Sequence, residues 1–132
     1  QNSSTYEMVW EKFFNGDMDI INSDYFTEDV KVVLAGGDIV GIEALKNHYG
    51  NYVKGFSDAK FTFVDLFGEG DKLVKHWNFV GTHDGEFFGI PATGRSVNLP
   101  GTTLILMEDG KIKQEHDFFD NLDFYTQLGL ME

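Results

Sequence analysis

The sequence predicts an α+β domain, a curved antiparallel sheet wrapped around N-terminal helices like a cone, with an internal hydrophobic pocket. Three observations predict it. In the first half of the chain apolar residues recur at three-to-four spacing: Tyr6, Val9 or Trp10 and Phe13 make one helical face, and Ile42, Leu45, Tyr49, Tyr52 and Phe56 a second. From Ala59 onward the pattern changes to strands separated by turn sequences, Gly68-Glu69-Gly70-Asp71 and Glu108-Asp109-Gly110. Thirteen phenylalanines in 132 residues supply the bulky, flat side chains that suit a core or a curved cavity wall.

Taken in order, Ser3 or Ser4 can cap the first helix, and Gly16 ends it. Asp17 opens a short second helix carrying Met18, Ile21 and Tyr25. The run VKVVLAGG is β-branched and closed by two glycines, which reads as a strand. The aromatic-faced helix from Ile42 to Phe56 follows. KFTFVDLFGEGDKLVKHWNFVGTHDG reads as two strands around a turn, and SVNLPGTTLILMEDGKIKQEHDFFD as two more. Leu122, Tyr125 and Leu128, with Gly129 behind them, make a short closing helix. No linker or repeat interrupts this order, so residues 1–132 read as a single domain.

Composition removes several function classes. The formal net charge is −12, with ten Lys plus Arg against 22 Asp plus Glu, which leaves no basic patch for nucleic acid or an anionic membrane. No apolar run approaches the ~20 residues of a membrane span. The chain has no Cys, which excludes disulfides, zinc–thiolate sites and thiol nucleophiles. Its four His fall into no metal-ligand spacing, and no nucleotide or cofactor fingerprint is present, so chemistry without metal or cofactor is expected. A cytoplasmic location and a small hydrophobic molecule as partner are expected as well.

The stretch GTHDGEFFGIPATGRSV, from Gly81 to Val97, is followed by a strand, by EDGKI, by a strand ending in Asp120 and by the tail NLDFYTQLGL. This succession resembles the SnoaL-like polyketide cyclases of the nuclear transport factor 2-like superfamily. The detailed likeness covers about the last fifty residues. Two positions depart from the family pattern: Ala92 replaces a proline, and His116 stands where the family usually has tryptophan. The resemblance implies a cone-shaped fold, a pocket for a polyketide-ester-like ligand and cofactor-independent enolate chemistry, with Asp120 at the position of the family's acid/base aspartate.

The residues themselves propose candidates. If the last strand is straight, Ile112, Gln114, His116, Phe118 and Asp120 share one face, and the alternation of types makes that face the cavity lining. Desolvation beside Phe118 would raise the pKa of Asp120 and fit it to move protons near neutrality. Its position also suits a helix N-cap. His83 shares a face with Trp77, Phe79 and Gly81 and is a wall residue or a catalyst. His116 is the third catalytic candidate; His48 and His76 read as surface groups, and Asp65 as the start of solvent exposure. Trp10, Phe13, Phe14, Tyr49, Trp77, Phe79, Phe87, Phe88 and Phe118 are the expected substrate-binding walls.

The functional expectation is a cyclase or isomerase acting on a hydrophobic carbonyl compound through aspartate acid/base and aldol chemistry. A ligand-binding module without chemistry, or a hydrolase or dehydratase on the same cone, are the alternatives. Apolar residues on both sides of VKVVLA and TTLILM point to a homodimer through the outer sheet face.

Overall fold

A computed structural model describes residues 2–34 and 36–130, so Ala35 of the expected VKVVLAGG strand lies outside the described residues. The elements run α1 (Asn2–Phe14), a 3-10 turn (Met18–Ile20), β1 (Phe26–Val33), β2 (Ile39–Val40) and α2 (Ile42–Gly55). Then come β3 (Lys60–Glu69), β4 (Lys72–Thr82), β5 (Ser96–Glu108), β6 (Lys111–Phe118) and α3 (Asn121–Gln127). The order is that expected from sequence. The segment after Asp17 forms a single 3-10 turn rather than a helix, and the two-residue β2 adds a strand too short for a periodicity to register.

The six strands form one curved sheet in the order β2-β1-β6-β5-β4-β3. From β3 to β6 it is an antiparallel meander, with register set by the Glu69/Lys72 and Glu108/Lys111 hairpins. The expected all-antiparallel sheet needs one correction: β1 runs parallel to β6, with Val32 opposite Glu115, so the sheet is mixed. A long crossover through α2 and the meander separates those two strands, and such a connection permits parallel pairing.

A second correction concerns β6. Leu106 pairs with Gln114 but Met107 with Ile112, so Lys113 is an extra residue. A β-bulge of this kind reverses the alternation beyond it. Ile112 points into the core before the bulge; after it, Glu115 and Asp117 point inward, the opposite of the straight-strand expectation.

Two apolar clusters hold the helices on the concave face. One gathers Tyr6, Val9, Trp10 and Phe13 of α1 against Phe26, Val30 and Val32 of β1 and Ile105 and Ile112 of the central strands. The other joins Phe56 behind α2 and Phe124 and Leu128 of the C-terminal segment to Trp77, Phe79, Phe87 and Leu99. Burying a Phe or Leu side chain stabilises by about 1.5–3 kcal/mol, so these faces, rather than local propensity, fix the helices in place.

Candidate active site

A narrow chamber lies at the seam between the two clusters. It is walled by Trp10 and Phe14 of α1, Tyr49 and Tyr52 of α2, Phe61 of β3 and Trp77 and Phe79 of β4, with a free volume of about 30 Å³. Lys75, Thr103, Glu115 and Asp117 are its polar members. A wider mouth of about 650 Å³ adjoins it, bordered by His48, Phe87, Phe88, His116, Phe118 and Tyr125 among others. Tyr52, Asp117 and Phe119 border both spaces. A carboxylate therefore stands where the mouth narrows into the chamber.

That carboxylate is held from both sides. The hydroxyl of Tyr49 donates to Asp117 Oδ2 at 2.6 Å, and Thr103 Oγ1 donates to Oδ1 at 2.7 Å. Thr103 Oγ1 in turn accepts from Trp77 Nε1 at 2.9 Å. Register explains the alignment: Thr103 sits directly opposite Asp117 on the neighbouring strand, two residues along from the Gly101–Trp77 pair. A Cβ on Gly101 would lie 2.0 Å from the Trp77 ring, so only glycine lets the indole cross β5 and reach Thr103. Burial and the neighbouring Asp117 and Glu115 carboxylates push the Tyr49 hydroxyl well above the usual tyrosine pKa, which keeps it a donor.

Glu115, one step deeper, is 1% exposed. Its oxygens accept from the Tyr6 hydroxyl (2.6 Å) and from Trp10 Nε1 (2.9 Å), both contributed by α1. Burial pushes its pKa up to about 7; Lys75 and the two hydrogen bonds pull the other way, and the Asp117 charge adds to the rise. Lys75 is also buried. Its Nζ lies 4.8–5.6 Å from the ring centroids of Tyr6, Phe63, Phe61 and Trp10, and burial lowers its pKa against the pull of Glu115 and Asp117.

The sequence-predicted residues divide into three groups. Trp10, Phe14, Tyr49, Trp77 and Phe79 wall the chamber, and Phe87, Phe88, Phe118 and His116 border the mouth. Phe13 is a core residue that reaches neither space. His83 is fully buried, stacked on Phe56 at 5.3 Å, with Nδ1 accepting the Thr93 backbone N–H at 3.3 Å; it borders neither space. Asp120 is exposed and its side chain accepts from the backbone N–H of Asp123 as the N-cap of α3. The apolar surroundings expected for it belong instead to Glu115 and Asp117, because of the bulge at Lys113.

Four members of the site, Glu115, Asp117, Lys75 and His48, escaped the sequence reading. Straight-strand parity puts Glu115 and Asp117 on the face opposite His116 and Asp120, away from the lining. Lys75 shares the alternating face of Leu73, Trp77 and Phe79, a signal that was legible. His48, expected on the surface, borders the mouth with Nε2 buried and unpartnered among the described residues, against Tyr49, Tyr52 and Phe88. Phe88 is pushed there by a tight turn: Phe87 and Ile90 exchange backbone hydrogen bonds, with Phe88 at φ 49° and Gly89 at φ 82° between them. Among the described residues no group of three or more His, Asp or Glu is arranged to hold a metal ion. No helix of the described chain is long and apolar enough to cross a membrane.

Comparison with known proteins shows the family and the fold. A family model described as SnoaL-like polyketide cyclase matches residues 4–128. Aklanonic acid methyl ester cyclase DnrD of Streptomyces peucetius is 45% identical over 49 residues, 37% of this chain and 34% of its own length. That match spans only about a third of the curated relative. Among solved structures, IdmH of Streptomyces antibioticus, a candidate polyketide cyclase, superposes with a TM-score of 0.82 at 26% identity, covering 98% of this chain and 99% of its own. A candidate SnoaL-like cyclase from Jannaschia sp. CCS1 shares the fold, with a TM-score of 0.83 at 22% identity over 98% and 95% of the two chains. The chain belongs to the SnoaL-like polyketide cyclase family.

Proposed function

We propose that the protein is a cofactor-independent cyclase that closes a ring in a hydrophobic carbonyl compound of the polyketide-ester class. The ligand occupies the mouth with its reacting carbon at the neck, and Asp117 removes the proton next to a carbonyl. The enolate carbon attacks a second carbonyl of the same molecule, forming the ring bond, and the new alkoxide takes a proton back. The observation that carries this reading is the Asp117 carboxylate at the junction of mouth and chamber, oriented through both oxygens by Tyr49 and Thr103. His116 borders the same space, as does His48, whose pKa burial lowers. Their ring N–H groups are the donors for the developing oxyanion. The likeness to aklanonic acid methyl ester cyclases supports the choice of a ring closure.

Asp120 matches the family aspartate in the sequence likeness, yet its exposure and its capping bond favour Asp117 for the base. The two assignments separate in one experiment, turnover of a panel of β-keto esters by Asp117→Asn and Asp120→Asn. Loss of about 10²-fold or more in Asp117→Asn alone supports this reading. The same loss in Asp120→Asn alone returns the role to Asp120. Tight binding of such esters by the unaltered protein with no turnover would favour a binding module.

A further inference from the structure

We propose that Lys75 is a nucleophilic amine at the floor of the cone, forming an imine with an aldehyde or alkyl-ketone end of an apolar ligand. This activity needs Lys75 and Glu115 and is separate from the ring closure assigned to Asp117.

Four features of the site carry the inference. Lys75 is only 5% exposed, yet it borders the chamber rather than the packed core. Its Nζ faces four aromatic rings and, among the described residues, takes part in no hydrogen bond or ion pair within 4.0 Å. The two carboxyl groups that act on it through space are already committed, Glu115 to Tyr6 and Trp10 and Asp117 to Tyr49 and Thr103. An ammonium here would keep three donors with no acceptor and only ring faces for compensation, whereas a neutral amine needs far less solvation. Burial accordingly pulls its pKa below that of an ordinary lysine, which exposes the nitrogen lone pair at lower pH.

The surrounding groups complete the chemistry. The lone pair adds to the carbonyl carbon, the C=O π pair moves to oxygen, and that oxygen takes a proton given up by the nitrogen, leaving a neutral carbinolamine. Glu115 borders the same chamber with a pKa near 7, so around neutrality it holds a proton for much of the time. It delivers that proton to the departing hydroxyl, which leaves as water while the nitrogen lone pair forms the C=N bond, and the iminium then returns its N–H proton to the Glu115 carboxylate. The chamber, at about 30 Å³, admits a carbonyl with a short alkyl end and leaves the body of the ligand in the mouth. This limits the reacting class to terminal aldehydes and short alkyl ketones.

Acetylacetone tests the idea on the intact chain, because a neutral amine converts it to an enaminone with its own near-ultraviolet absorbance. At neutral pH the expected result is one rapid adduct per chain, mapped to Lys75 by peptide mass spectrometry. It should form faster than at any exposed lysine, since a lowered pKa raises the neutral fraction at a given pH. Lys75→Met, apolar and of similar length, should lack the rapid phase, and Asp117→Asn should retain it. Should the methionine variant fail to fold, the adduct map of the unaltered protein decides. Adducts on exposed lysines with Lys75 unmodified, or an undiminished rapid phase in folded Lys75→Met, would overturn the proposal and leave the Asp117 reading standing.

Discussion

Thr103 and Asp117 face each other across β5 and β6, with the threonine hydroxyl 2.7 Å from Oδ1 and the Trp77 indole feeding the same oxygen of the threonine. The carboxylate is thus oriented by a chain of donors that starts one strand further away. Replacing Thr103 with valine keeps the shape and removes the link. Trp77 Nε1 then loses its buried acceptor, which costs about 1–3 kcal/mol. Thr103→Val should lower the unfolding free energy from urea titration by that amount, and turnover of a cyclisable β-keto ester should fall more in kcat than it changes in KM.

Glu115 makes stability depend on pH in an unusual direction. Its carboxyl titrates near 7 in the folded protein against 4.5 for an unperturbed group, so the folded state binds the proton more tightly than the unfolded chain. Stability is therefore greatest below about pH 4.5 as far as this group is concerned, and is lost as pH rises toward 7, by up to about 3 kcal/mol. Lys75, shifted down, contributes the opposite slope at higher pH, below its ordinary value of 10.5. Urea titrations from pH 4.5 to 7 should show the decline in the unaltered protein and a flatter profile in Glu115→Gln. An equal slope in both would assign the pH dependence to other groups.

Asp120 offers a counterpart with no expected kinetic effect. Asp120→Ala removes the N-cap of α3 and should cost about 1 kcal/mol, read as a lower Tm with kcat/KM unchanged. Asp120→Asn keeps a capping oxygen and should be closer to the unaltered protein in Tm.

The outer sheet face carries exposed apolar side chains on four adjacent strands, Val64, Val80, Leu104 and Phe118, the last also bordering the mouth. Such a face is expected to be covered by a second copy of the chain about a two-fold axis. Light scattering at micromolar concentration should give twice the chain mass, and Leu104→Glu should give a monomer; a monomer before substitution would remove the expectation.

Fold and site were legible to different degrees, for physical reasons. The helical faces of α1 and α2 and the Asp109-Gly110 hairpin follow from periodicity and turn chemistry, which are local. The inward set on β6 does not, because Lys113 looks like any other polar strand residue and only its pairing with β5 shows it to be the extra one. One inserted residue turns Glu115 and Asp117 to the inner face, where the straight-strand parity puts His116 and Asp120. His48 escaped because its burial is created by Phe88, forty positions away in sequence and held in a left-handed turn. Lys75 sits on a correctly read face; a charge on an apolar stripe was the signal.

The contact between α1 and β6 has a consequence for how the chain reaches this structure. Tyr6 and Glu115 meet across 109 residues, and β1 lies beside β6 with the whole meander between them in sequence. Loop closure over such distances is slow compared with hairpin formation, so the meander from β3 to β6 is expected to assemble first. Until α1 docks, Glu115 stands in water as an ordinary carboxylate. It gains its two donors and loses its solvent in the same late step, and in that step it also takes up a proton. Refolding should therefore slow as pH rises from 5 to 8, with the change in the final phase and absent in Glu115→Gln.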